Sequence, residues 1–272
     1  MPEGDTLFRI ARTLRPIMRE QTIQAARRGR DWFRIDADSF VGRVVTEVEA
    51  RGKHLLIHLD DGRAIHSHLG MTGSWHVYHP GQPWLKPVRR AALVFELAEW
   101  TIVCFSPKSL ETLSPMGLRQ QSYLRNLGPD LLSPDFDEEA ALARYRFHGE
   151  LPIGEAVMDQ TLACGIGNEY KSEILFLERL DPFRPVEQMS DEQVLSLLRR
   201  ARWLMHRNLR GGPRQTRFGH GKARVWVYGR AGEECYECGT AIQMRRQGDL
   251  GRSTYWCPAC QSSSCPPEGK RG

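Results

Sequence analysis

The sequence predicts an α+β protein with its strands first and its helices second, and three observations carry that prediction. Residues 41–105 alternate apolar and polar side chains between turn residues, the period-two signature of antiparallel strands. Residues 137–208 instead space their apolar side chains at helical intervals. Beyond them stand two Cys-x-x-Cys pairs, Cys235/Cys238 and Cys257/Cys260, which fit a small metal-held ribbon. Strands and helices segregated along a chain in this way build α+β architectures.

In order, a helix is expected over Asp5–Arg15, then strands over Val44–Val48 and His54–Leu59. Asp61-Gly62 supplies a hairpin turn before a strand over Ala64–Leu69, and Leu93–Leu97 with Thr101–Phe105 form a further hairpin. The segment Gly128-Pro129-Asp130-Leu131-Leu132-Ser133-Pro134 breaks the strand pattern and marks a domain boundary. Helices follow over Asp137–Arg146 and Ile153–Leu162, and Ala163-Cys164-Gly165-Ile166-Gly167 then turns into a helix opening at Asn168, a helix-turn-helix-like unit. Ser190-Asp191-Glu192-Gln193 reads as a capping box, and the helix after it, to about Asn208, keeps Val194, Leu197, Leu198, Ala201, Leu204 and Met205 on one stripe. Gly211-Gly212-Pro213 lies beyond its end.

At 272 residues the chain is long enough for two domains of roughly 100–200 residues each. Hydrophobic residues make up 40% and charged residues 26%, which excludes wholesale disorder, and no apolar run reaches the ~18 residues of a membrane span. The opening Met-Pro-Glu-Gly-Asp carries acids where a secretory leader carries bases, so a cytoplasmic location is expected, at the nucleoid if the source is bacterial. Seven cysteines, four of them in close pairs, favour metal over disulfides in a reducing compartment, and Cys104, Cys164 and Cys265 are expected to be packing residues.

Eighteen residues separate the two cysteine pairs, the spacing of a four-thiolate zinc ribbon, so Cys235, Cys238, Cys257 and Cys260 are expected to hold one structural Zn2+. From Arg199 to Arg230 there are ten Lys or Arg and no acid, interleaved with Trp203, Phe218, Trp226 and Tyr228. Such a bias is the electrostatic footprint of a nucleic-acid-binding protein.

Four smaller features have two readings each. Pro2 becomes a terminal secondary amine if Met1 is removed, able to form a Schiff base with a sugar aldehyde carbon while Glu3 moves protons; Met-Pro-Glu is also an ordinary start. Lys53, in Arg51-Gly52-Lys53-His54, is a solvent-facing lysine or a functional one. Met71, between Gly70 and Gly73, is an exposed wedge for a base stack or a core residue closing the sheet. Gly165-Ile166-Gly167-Asn168 reverses the chain, and also presents a helix N-terminus suited to phosphate. His66 and His68 alternate on one strand face with no further ligand in sight, so no second metal is expected.

Together these motifs resemble the formamidopyrimidine-DNA glycosylase and endonuclease VIII family of base-excision repair enzymes. The resemblance runs from Met1-Pro2-Glu3-Gly4 through Arg51-Gly52-Lys53, Gly128-Pro129-Asp130, Asp159-Gln160 and Gly165-Ile166-Gly167-Asn168 to Tyr255-Trp256-Cys257-Pro258-Ala259-Cys260-Gln261. It implies a β-sandwich flanked by helices over 1–128, a helix-two-turn-helix domain over 129–229, a zinc ribbon over 230–262 and a disordered tail over 263–272. It further implies Pro2 as nucleophile at the sugar C1′, Glu3 as general acid and base, and Lys53 as a second proton donor. Arg252 would grip the phosphate at the lesion and assist elimination, with Arg125 and Asn168 as further phosphate contacts and Met71 at the DNA. The partner implied is damaged double-stranded DNA, no membrane is involved, and the protein is expected to be a monomer.

Met-Pro-Glu-Gly and the lack of an Arg-x-Phe wedge between Cys104 and Leu113 resemble the endonuclease VIII branch and imply oxidised pyrimidines as substrates. Thr6 departs from the glutamate of many relatives, and Leu69-Gly70-Met71 is closer to the other branch, which acts on oxidised purines. The function implied is a glycosylase with abasic-site lyase activity, working by β,δ-elimination. Its rivals are an abasic-site lyase that excises no base, and a non-catalytic zinc protein that binds damaged DNA.

Overall fold

A computed structural model describes residues 1–219, 221 and 223–262, so Lys222, Cys265 and the tail 263–272 lie outside the described residues. The chain forms two compact units, 1–126 and 127 onward.

The first unit opens with helix α1, Gly4–Met18, whose Leu7, Ala11, Leu14 and Met18 recur on one buried face. It runs three residues past the expected end, through Pro16, which has no N–H to give the Arg12 carbonyl, and Arg19 N still donates to Arg15 O at 3.0 Å. Eight strands follow: β1 Ala25–Arg28, β2 Val45–Arg51, β3 His54–Leu59, β4 Ala64–His68, β5 Ser74–Tyr78, β6 Ala91–Glu96, β7 Thr101–Phe105 and β8 Ser109–Leu113. Short helices α2, Pro115–Gln120, and α3, Ser122–Arg125, complete the unit. The strands make two antiparallel sheets, ordered β1-β6-β7-β5 and β2-β3-β4-β8.

One core joins the sheets and α1. Val48, Leu55, Ile57 and Ile65 meet Leu93, Phe95, Ile102 and Cys104 beside the helix stripe, all essentially without solvent. Trp75 Nε1 donates across the sheets to Ser67 Oγ at 3.0 Å, which satisfies the indole N–H inside that core. The Arg15 guanidinium ties α1 to β2 through the Glu47 carboxylate and Val48 O.

The second unit contains α4 Glu138–Phe147, α5 Ile153–Ala156, α6 Asn168–Leu177, α7 Asp191–Asn208 and the hairpin β9 Gln243–Gln247 with β10 Arg252–Trp256. The capping box that opens α7 is present in both directions: Gln193 N donates to Ser190 Oγ at 3.2 Å and Ser190 N to Gln193 Oε1 at 3.0 Å. The helix expected over Ile153–Leu162 is a single turn, Ile153–Ala156. Asp159 ends it, because its Oδ1 accepts from both Thr161 N (2.8 Å) and Thr161 Oγ1 (2.7 Å), a side-chain turn that competes with the helix.

Helix α6 is buried on almost every side, including Lys171 and Glu173. The Glu173 carboxylate accepts the backbone N–H groups of Trp226 (2.7 Å), Val227 (2.8 Å) and Tyr228 (2.8 Å), and the Thr216 hydroxyl as well. Burial drives its pKa upward and the four donors pull against that shift. Lys171 Nζ donates to Thr254 Oγ1 (2.8 Å), which donates to Gln247 Oε1 (2.8 Å), and Gln247 Nε2 donates to Pro182 O (3.0 Å). Glu173 thus fastens the segment 216–228 to α6, and Lys171 fastens the hairpin.

Replacing Glu173 with Leu strands three backbone donors away from water and is expected to cost about 3–5 kcal/mol. Urea unfolding checks it, and an unchanged midpoint would contradict the role given to this carboxylate.

Candidate functional site

Pro2 is half-buried and Glu3, the residue at the N-cap of α1, is fully buried. The Glu3 backbone N–H donates to Thr6 Oγ1 at 3.4 Å, and Glu3 O accepts from Thr6 N and Leu7 N. Thr6, the departure noted in the sequence, therefore has a local duty as a helix-capping hydroxyl.

Lys53 stands at the tip of the β2–β3 hairpin, in a two-residue turn closed by the Arg51–His54 pair. Gly52 takes φ +55° there, a conformation that glycine adopts without strain and that so tight a turn requires. His54 lies opposite His68, and His68 opposite Ser109, so β3, β4 and β8 bring Lys53, His68 and the loop 69–73 to one end of one sheet. That loop is braced: Gly73 N donates to Leu69 O at 3.0 Å, and a Cβ on Gly73 would sit 2.4 Å from the same oxygen. Met71 at its apex is 73% exposed, which decides between the two readings of this residue in favour of an exposed apolar side chain. Arg125, exposed, ends α3 in the same unit.

His66 is not isolated. His54 Nδ1 lies 2.8 Å from His66 Nε2, His66 Nδ1 lies 2.9 Å from Glu111 Oε1, and the Tyr123 hydroxyl donates to the same oxygen. Burial lowers the pKa of all three histidines, His54 to about 3 and His68 to about 4, so the rings are neutral near pH 7. Glu111 and Tyr123 come from β8 and α3, far along the chain, and no local motif could have flagged them.

In the second unit the motifs explain one another. Gln160 Oε1 accepts from Gly165 N (3.0 Å) and Gln160 Nε2 donates to Ile166 O (3.1 Å), so Asp159-Gln160 shapes the turn that delivers Asn168 to the start of α6. Gly128 N donates to Gln160 O at 2.8 Å, and a Cβ on Gly128 would lie 2.5 Å from Leu162 O. Asn168 is buried and its Oδ1 has no hydrogen-bond partner among the described residues. Arg252 opens β10, opposite Gln247, and its Nε is likewise buried without a partner. Since Lys171 reaches Thr254, the first turn of α6 and the strand of Arg252 are bonded to each other. Sequence reasoning missed Lys171 and Glu173, although two charges inside an apolar helix were a visible signal.

Cys235, Cys238, Cys257 and Cys260 bring their sulfurs within 4.8 Å of one another. The separations of 3.9 Å (235–260), 3.4 Å (238–257) and 3.5 Å (238–260) approach the ~3.8 Å expected between ligands of a tetrahedral metal with bonds of about 2.3 Å. Burial opposes ionisation of Cys238, but hydrogen bonds from Thr240 and the neighbouring thiols prevail and its pKa falls to about 6, while that of Cys260 is pushed up. Sulfurs so crowded ionise together only around a cation, so the donor set fits a soft divalent metal. Among the described residues no other cluster of metal-ligating side chains is found. Cys104 and Cys164 are buried, as packing residues should be.

The basic segment is less free than its composition implies. Arg199 pairs with Glu138 (2.7 Å), Arg200 with Glu178 (2.7 Å), Arg214 with Glu169 (2.9 Å) and Arg230 with Glu233 (2.9 Å). Arg202 donates to Leu131 O and Ser133 O, and Arg217 stacks on Tyr236. The acids come from outside the segment, so the mixing of sign that the sequence lacks is supplied by the fold. Arg207, Arg210 and Arg224 keep exposed side chains.

Residues 1–109 match the family model described as formamidopyrimidine-DNA glycosylase N-terminal domain, and residues 127–218 the one described as formamidopyrimidine-DNA glycosylase H2TH domain. The chain is 38% identical to a probable endonuclease 8 2 of Streptomyces coelicolor, over all of this chain and 98% of that one. It is 37% identical to the DNA-(apurinic or apyrimidinic site) lyase Nei2 of Mycolicibacterium smegmatis, over 97% and 100%. In fold it is similar to a Lactococcus lactis protein of that family, crystallised with DNA containing an oxidised pyrimidine, with TM-score 0.80, 23% identity and coverage of 96% and 100%.

A metal titration is expected to load one divalent ion per chain. Cys257→Ser should abolish tight loading, and full uptake by that variant would place the metal elsewhere.

Proposed function

Since the chain belongs to the formamidopyrimidine-DNA glycosylase family, we propose that it is a base-excision repair glycosylase and abasic-site lyase that acts on oxidised bases in duplex DNA, pyrimidines foremost. The observation that carries the proposal is Pro2 placed directly before a fully buried Glu3 at the head of α1. Once Met1 is removed, that position offers a secondary amine beside a carboxyl group shielded from water.

The target base must leave the stack before C1′ can be reached, and exposed Met71 on its braced loop is suited to fill the gap. The Pro2 nitrogen attacks C1′ and the bond to the base breaks, with Glu3 moving the protons this requires; the ring-opened sugar is left as an iminium on Pro2. Loss of the C2′ proton expels the 3′ phosphate, and a second elimination expels the 5′ phosphate. Water then releases the sugar fragment. Lys53 is the second proton donor, while Arg252, Asn168 and Arg125 hold phosphates; the partnerless polar atoms of Asn168 and Arg252 are in keeping with groups kept for a ligand. Cys235, Cys238, Cys257 and Cys260 would hold one Zn2+, which would fix the ribbon that carries Arg252 and take no part in the chemistry, since four protein ligands leave no open position.

A second possibility, abasic-site cleavage without base excision, has the Mycolicibacterium relative in its favour, whose name is that of a lyase. Borohydride trapping on two duplexes separates the two. A covalent adduct with both an oxidised-pyrimidine duplex and a preformed abasic duplex is expected; an adduct with the abasic duplex alone supports the lyase.

Pro2→Gly, or an uncleaved N-terminal tag, should eliminate the trapped adduct and leave DNA binding within about threefold, and normal trapping would remove Pro2 from the mechanism. Binding should weaken by roughly 10-fold or more between 50 and 200 mM salt, as neutralised phosphates reclaim counterions. A flat response in a filter-binding titration would contradict a backbone-dominated interface.

A further inference from the structure

The polar face of the β2-β3-β4-β8 sheet carries a connected chain that the mechanism above does not use. Glu111 Oε1 accepts from the Tyr123 hydroxyl and lies 2.9 Å from His66 Nδ1, and His66 Nε2 lies 2.8 Å from His54 Nδ1. Tyr123 stacks on His54 with ring centroids 5.4 Å apart and planes inclined by 19°, and covers His66 at 5.0 Å. The cluster joins four elements: His54 begins β3, directly after Lys53; His66 is on β4; Glu111 is on β8; and Tyr123 is on α3, two residues before Arg125.

The Tyr123 oxygen also lies 3.1 Å from His66 Nδ1, and with its hydroxyl given to Glu111 the donors and acceptors favour one arrangement of protons. An ionised Glu111 can only accept, so the proton facing it is on His66 Nδ1. His66 Nε2 is then a lone pair, and the nitrogen opposite it, His54 Nδ1, must carry a proton. Both rings are fixed as Nδ1–H tautomers, with the unprotonated Nε2 of His54 at the end of the chain. A further proton on His66 Nε2 would set two N–H donors against each other across 2.8 Å unless His54 exchanged its Nδ1 proton for one on Nε2, so protonation disturbs this arrangement.

We propose that His54, His66, Glu111 and Tyr123 form a positioning relay that holds the Lys53 hairpin tip and the Arg125 end of α3 in one fixed arrangement, and that strand cleavage depends on it. The proposal rests on the function given above, because it treats Lys53 and Arg125 as groups that must meet the substrate. The charged and titratable groups around the relay are Arg51 and Lys53 at the hairpin, His68 on β4 and Lys108 before β8. Their positive charges and the burial of the rings all disfavour an added proton. Only Glu111 favours one, and it is committed to Tyr123 and His66. Near neutral pH the relay therefore keeps this arrangement of protons, and acid is what disturbs it.

The test has a spectroscopic arm and a kinetic arm. In 15N-edited spectra of the histidine rings of the full-length protein, His54 and His66 should both appear as neutral Nδ1–H tautomers at pH 7 and above. The commoner Nε2–H form at either ring overturns the relay whatever the enzyme does. His66→Leu should return His54 to the ordinary tautomer and slow single-turnover cleavage of an abasic duplex by about 10-fold, with little change in KM. Tyr123→Phe, which loses one hydroxyl and keeps the stack, should give a smaller loss, about 3-fold. Wild-type cleavage rates in both variants overturn the positioning role even if the tautomers are as expected. Should the wild-type protein cleave nothing, the proposed function and with it the positioning role fail, while the spectra still decide whether the relay exists.

Discussion

A carboxylate without solvent organises the second unit. Glu173 sits in the middle of α6, and three consecutive backbone N–H groups, those of Trp226, Val227 and Tyr228, point at it together with the Thr216 hydroxyl. Segment 209–230 contains no strand or helix among its described residues, so these peptide donors have no ladder to join, and the carboxylate takes its place. Phe176 stacks on Trp226 one turn further along the helix, and both enter the apolar cluster with Val227, Ile242, Cys235 and Cys257. The helix that presents Asn168 at its start thus also seats the basic segment and the cysteine ribbon. Lys171, reaching Thr254, repeats the device on the strand of Arg252. A polar group in such a place stabilises little by itself; it matters because an apolar substitute leaves its partners unpaired, which makes the arrangement specific.

How much was legible in the sequence followed the range of the interaction involved. Strands β3 and β7, the capping box of α7 and the cysteine site were readable because alternation, caps and pair spacing are local. Strands β1, β5 and β8 were not foreseen: each is short, and β1 (Ala-Ala-Arg-Arg) and β8 (Ser-Leu-Glu-Thr-Leu) owe their state to pairing with β6 and β4. The helix read over Ile153–Leu162 failed at Asp159, where one carboxylate captured two donors of Thr161. Helical periodicity does not register such a competitor. Pro2, Glu3, Lys53 and Asn168, the residues proposed for function, were singled out through motifs, whereas Glu111 and Tyr123 became neighbours of His66 only when β4, β8 and α3 assembled.

The basic segment shows why charge composition alone overstates a binding surface. Its arginines are drawn toward Glu138, Glu169, Glu178 and Glu233, residues outside the segment, and toward aromatic faces. An arginine paired in this way still contributes positive potential at long range, but its directional hydrogen bonds are largely committed. Electrostatic attraction to a polyanion and specific grip on one phosphate are therefore carried by different residues. The first suits the segment as a whole, and the second suits groups such as the Nε of Arg252, which has no partner among the described residues.

Short, braced turns present several of the side chains proposed for function. Lys53 rides a two-residue hairpin, Met71 a loop in which a Cβ on Gly73 would meet Leu69 O at 2.4 Å, and Asn168 a turn shaped by both ends of the Gln160 amide. Catalysis that depends on alignment loses rate steeply when a group is misplaced by about 1 Å, so a loop that supplies such a group gains from having one conformation. Glycine serves two opposite ends in these turns. At Gly52 a φ of +55° is what the tight reversal needs, and at Gly73 or Gly128 the absence of a Cβ lets two backbones close to a distance that no side chain would fit. In each case the permissive residue makes the neighbouring functional residue rigid, because flexibility available to the unfolded chain is spent on a contact that only one folded geometry can make.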